Sequence, residues 1–127
     1  MKRLEQIFTV HAPATSVWQA LTDAKTIGLW GAGPAVMEPC EGTKFELWGG
    51  SIHGNNVIVV KNEMLVQNWT SSDAWKAPSR VTFVLRGVGD ATKVHITQEN
   101  IPDEDFEAIE AGWNEYYAKP IKALLEG

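Results

Sequence analysis

The chain has 127 residues, a length that suits one domain able to bury about two thirds of its unfolded surface without disulfides or a metal. A formal net charge of -5, with 11 Lys and Arg scattered along the sequence, excludes the basic stripe that a nucleic-acid surface needs. The lone Cys40 excludes an internal disulfide, no apolar run reaches the ~18 residues of a membrane span, and MKRLEQIFTV lacks the apolar core of a signal peptide, so a cytoplasmic protein is expected.

Residues 4–11 alternate as a first strand, and Pro13 then opens a helix over residues 13–22, where its missing N–H is tolerated in the first turn. Ala14, Val17, Trp18 and Leu21 fall on one face of that helix. A second short helix over residues 24–29, capped by Thr22 or Asp23, delivers Trp30 into the turn GAGP.

From residue 35 to 98 the sequence is rich in Val, Ile, Phe, Trp and Thr, and predicts strands at 35–38, 43–48, 52–60, 64–71, 80–86 and 92–99. The short Gly-, Asn- and Pro-containing connections between them favour an antiparallel meander. Val81, Phe83 and Leu85, and Val94, Ile96 and Gln98, form inward sets, which leaves His95 on the outer face. The register of 52–60 stays open, because VIVV is apolar on both parities. A last helix over residues 103–126 starts with Asp103, Glu104, Asp105 and Glu107 at its positive dipole end. Phe106, Ile109, Trp113 and Leu124, with Tyr116 or Tyr117 and Ile121, form its sheet-facing stripe, and Pro120 should bend it by removing the bond to the Tyr116 carbonyl.

No nucleophile elbow, HExxH, CxxC or phosphate loop occurs, and GVGD reads as a hairpin turn. His11, His53 and His95 lie on three different strands, so neither a catalytic set nor a metal site nor a cofactor is assigned. Cys40 has no neighbouring base and reads as inert, and the acidic run from Glu99 to Glu110 reads as a solvated helix start, with a basic partner as the alternative. Six Trp are the marked feature. Trp18, Trp69 and Trp113 suit core filling, whereas Trp75, in SSDAWKAPS, suits an exposed rim or a partner contact.

The order β-α-α-β-β-β-β-β-β-α resembles the helix-grip, START-like fold of the SRPBCC superfamily, an α+β architecture in which a curved antiparallel sheet wraps a long C-terminal helix. More closely, APATSVWQALTDAKTIGLW, EGTKFELWGGSIHG, LVQNW, TFVLRGVGDATKVHITQENIP and GWNEYYAKPIKALL are similar, over essentially the whole chain, to the C-terminal domain of activator of heat-shock protein 90 ATPase homologues. The resemblance implies two roles. One is a cavity for a small apolar or amphipathic ligand between sheet and helix, with Trp30, Trp69, Phe83, Gln98, Trp113 and Tyr117 nearest to it. The other is interaction with a 90-class heat-shock chaperone, although the separate N-terminal domain that carries the principal chaperone contacts in eukaryotic activators has no counterpart in these 127 residues. Some superfamily members are cyclases or hydratases, but no inward acid or base is identified here, so a non-enzymatic role is expected. The buried amide of Gln98 is left with two candidate partners, the C-terminal helix or a ligand's polar head.

Overall fold

A computed structural model describes residues 2–71 and 78–126. Six strands form one antiparallel sheet: β1 (Lys2–Val10), β2 (Lys44–Leu47), β3 (Ile52–Val60), β4 (Met64–Ser71), β5 (Ser79–Val88) and β6 (Ala91–Ile101). Their spatial order is β1-β6-β5-β4-β3-β2, so the meander runs across the sheet and β1 closes on its last strand. The expected strand at 35–38 is reduced to a single bridge between Val36 and Glu46, with Pro34 and Pro39, which have no N–H to donate to a ladder, at either end. Trp75 lies outside the described residues.

Between β1 and β2 stand α1 (Ala14–Thr22) and α2 (Ala24–Leu29). Pro13 precedes the first as its extended N-cap, and Val17, Trp18 and Leu21 are buried while Ala14 is half-buried. Asp23 caps the second: Oδ2 accepts from the Thr26 N–H at 3.0 Å and from its hydroxyl at 2.6 Å. The Thr26 hydroxyl bond, then the backbone bond, holds the Asp23 carboxyl below its ordinary value.

The ambiguous β3 strand is settled by a bulge between Asn56 and Ile58. Asn56 turns inward and Ile58 outward, so neither parity holds along the whole strand. Gly54 is required by close approach, because a Cβ there would coincide with the Asn68 carbonyl oxygen and crowd Phe45.

The C-terminal segment opens with a short 3₁₀ turn, Asp103–Asp105, and continues as α3 (Phe106–Gly112), a π-helical turn (Trp113–Ala118) and α4 (Lys119–Glu126). Where one helix over residues 103–126 was expected, the turn before Pro120 is widened, and the Lys119 N–H donates to the Asn114 carbonyl, five residues back. A wider turn accommodates a proline ring that would otherwise press on the carbonyl four residues earlier. It also rotates the downstream stripe. Trp113, Tyr117 and Ile121 are buried, whereas Leu124 is exposed and Leu125 packs on the core in its place. Tyr116 is 63% exposed, which makes Tyr117 the inward member of the pair.

Among the described residues, no helix is long and apolar enough to cross a membrane.

Candidate functional site

Between the end of β4, the turn after β2 and the C-terminal helix lies a cleft of about 500 Å³. Aromatic side chains dominate its lining: Trp69 from β4, Trp113, Tyr116 and Tyr117 from the π-helical turn, and Trp48 from the turn Trp48–Gly50. Ile52 and Ile109 add aliphatic wall, and Glu104 and Asp105 supply carboxylates from the start of the C-terminal segment.

The rings hold one another in place. Trp113 and Tyr117 lie 4.7 Å apart between centroids, Trp69 lies 5.1 Å from Trp113 and 5.8 Å from Tyr117, and Trp48 meets Tyr117 edge-on at 5.9 Å. Such tilted and T-shaped pairs contribute about 0.5–1.5 kcal/mol each beyond their burial. Trp48 takes a left-handed backbone, φ 50°, followed by Gly49 and Gly50 at 68° and 103°. Its N–H donates to the Ala32 carbonyl at 2.7 Å and that of Gly49 to the Pro34 carbonyl at 3.0 Å, which fixes this turn against the loop after α2.

Polar groups beneath the aromatic floor are paired. Trp113 Nε1–H donates to Gln98 Oε1 at 2.9 Å, and Gln98 Nε2–H donates to Ser79 Oγ at 3.0 Å. Of the two partners left open for Gln98, the protein thus supplies the helix, together with β5. A second buried chain was not anticipated: Trp69 Nε1–H donates to Gln67 Oε1 at 2.8 Å, Gln67 Nε2–H to Asn56 Oδ1 at 2.8 Å, and Asn56 Nδ2–H to the Glu38 carbonyl at 2.9 Å. Gln67 and Trp69 share a strand face at i, i+2, which is the signal that could have revealed it. Desolvation pushes the Tyr117 phenol well above its ordinary value, so it stays neutral at physiological pH.

Of the six residues expected around a cavity, Trp69, Gln98, Trp113 and Tyr117 line the cleft. Trp30 and Phe83 stand one layer back. Trp30 packs 4.9 Å from Tyr117 and donates from Nε1 to the Ala20 carbonyl at 2.7 Å, while Phe83 stacks on Tyr117 at 6.0 Å and meets Trp113 edge-on at 5.7 Å. Trp48 and Tyr116 are lining residues that sequence reasoning missed, Trp48 because its orientation depends on the left-handed turn. His95 lies on the outer sheet face, 2.8 Å from Glu5.

Comparison with known proteins gives the fold and site a family context. Residues 11–126 match the family model described as Activator of Hsp90 ATPase homolog 1-like protein. The activator of 90 kDa heat shock protein ATPase homolog of Dictyostelium discoideum is 39% identical over 85 residues, covering 65% of this chain and 22% of that protein. The Hsp90 co-chaperone AHA1 of Saccharomyces cerevisiae is 29% identical over 125 residues, covering 90% of this chain and 35% of that protein. The chain thus spans well under half the length of these curated relatives. Among solved structures, an HSP90 activator from Plasmodium falciparum superposes with a TM-score of 0.90 at 26% identity, covering 99% of this chain and 97% of that one. The chain belongs to the family of activator of Hsp90 ATPase homologues.

Proposed function

We propose that this domain is a chaperone-associated module that binds a 90-class heat-shock chaperone and modulates its ATPase. The observation that carries the reading is the family match over residues 11–126, supported by the likeness along nearly the whole chain to an HSP90 activator. The outer sheet face supplies apolar surface for such a contact: Ile7, 62% exposed, and Val84, 40% exposed, flank His95 across neighbouring strands. The test is a pull-down of purified chain against the host's 90-class chaperone, coupled to its ATP turnover. Retention of the chaperone with a changed turnover rate supports the role, and absence of both refutes it.

A second reading is favoured by the cleft itself. Its volume of about 500 Å³ falls inside the ~300–1,000 Å³ typical of small-molecule sites, and its walls are largely aromatic. Here the domain holds a small apolar or amphipathic molecule between sheet and helix, with Trp48, Trp69, Trp113 and Tyr117 against it. Gln98 acts by supporting Trp113, because both ends of its amide are already engaged within the protein. Tryptophan fluorescence and melting temperature, followed through a panel of amphiphiles, test this reading independently of the chaperone.

A further inference from the structure

We propose that the cleft selects ligands with a positively charged head, an amine or quaternary ammonium on an apolar body; this rests on the small-molecule reading of the cleft and adds the charge of the ligand to it. Three observations converge. First, Trp48, Trp69, Trp113, Tyr116 and Tyr117 line one space together, and the faces of such rings attract cations. Second, the charged side chains among the described lining residues are both carboxylates, Glu104 and Asp105, and no described lysine or arginine lines the space. Third, the irregular backbone of the left-handed turn at Trp48 and of the π-helical turn at Trp113–Ala118 aims rings at this place.

These features act in the same direction on a bound head group. A carboxylate or sulfate would be repelled by the two negative charges and by any ring face it met, whereas an ammonium would be attracted by both. An uncharged phenol at Tyr117 adds no opposing charge. The fold already pairs a cation with a ring close by, with Lys2 Nζ 5.0 Å from the centroid of Phe106, the residue after Asp105.

The test uses three ten-carbon probes, decyltrimethylammonium, decanoate and 1-decanol, titrated below their aggregation and solubility limits against the whole chain by tryptophan fluorescence and calorimetry. The expected result is tighter binding of decyltrimethylammonium than of decanol by about 2- to 30-fold, the span of exposed to desolvated cation–π contacts, with decanoate weakest. In the Glu104→Gln/Asp105→Asn variant that advantage should shrink severalfold while decanol binding stays unchanged. The Glu107→Gln/Glu110→Gln variant, with the same change in net charge on exposed positions outside the lining, should keep it. Decanoate or decanol binding as tightly as the cation overturns the charge selectivity and leaves the cleft reading standing, as does an equal loss in both variants. Failure of all three probes to bind overturns both.

Discussion

Trp113→Ala is the perturbation most directly tied to the geometry of the cleft. The indole is 3% exposed, packs within 6 Å of Trp69, Phe83 and Tyr117, and donates its one N–H to Gln98. Truncating a core aromatic costs about 3–5 kcal/mol, and an orphaned Gln98 oxygen would add about 1–3 kcal/mol if it stayed dry. The hole opens onto the cleft, however, so water reaches that oxygen and the total should stay near 4 kcal/mol. For a chain of 127 residues, an unfolding entropy of about 2.1 cal/mol/K per residue converts this to a fall in Tm of roughly 15 °C. Urea denaturation followed by far-UV circular dichroism is the suitable assay, since the signal does not depend on the tryptophan removed. Trp113→Phe keeps most of the ring and deletes the donor, and should cost about 1–3 kcal/mol. A loss below about 1 kcal/mol for the alanine variant, or equal losses for both variants, would refute the assignment of Trp113 as a packed ring with a supporting hydrogen bond.

Gly54→Ala should destabilise by about 1–3 kcal/mol or more, because β3 and β4 must separate to admit a methyl group where the Asn68 carbonyl now sits; an unchanged thermal melt would show that the close approach is absent. The bonds from the Thr26 hydroxyl and backbone hold the folded pKa of Asp23 below the ordinary carboxylate value, so its contribution to stability is fully present above that ordinary value and is lost as pH falls through the lowered one. Comparing acid titrations of stability for the wild type with Asp23→Asn, which keeps a capping oxygen but cannot titrate, should reveal that dependence only in the wild type; identical profiles would sink it.

The elements that could be read from the residues are those whose pattern is local. Pro13 ahead of Ala14–Thr22, Asp23 ahead of Ala24–Leu29, and the inward triplets of β5 and β6 each declare themselves through spacing, and all stand where that spacing puts them. The burial of Gln98 and Trp113 followed from the same periodicity. What could not be read depends on one extra residue or one unusual torsion. The bulge after Asn56 makes β3 switch parity, and the widened turn before Pro120 moves the stripe from Leu124 to Leu125. Trp48 was unreadable for the same reason: GTKFELWGG predicts a strand running to Trp48, but β2 ends at Leu47 and a positive φ at the next residue sends the indole toward Tyr116 and Tyr117. Trp30 and Phe83 were placed beside the right rings but one layer too close to the opening.

The closure of the sheet by β1 sets the order in which the domain can be completed. Val10 pairs with Thr92 and Lys2 with Ile101, so the first strand made has its partners 82 to 99 residues away. At about 5–20 residues per second of synthesis, β1 waits roughly 5 to 20 s before β6 exists to receive it. During that interval Ile7 and Phe8 belong to an unpaired strand whose backbone can recruit any other edge, while the local hairpins β3–β4 and β5–β6 can form as they emerge. The charged side chains of Lys2, Arg3 and Glu5 interrupt the apolar character of the waiting segment, and once β6 arrives two of them find partners on it, Arg3 beside Glu99 and Glu5 beside His95.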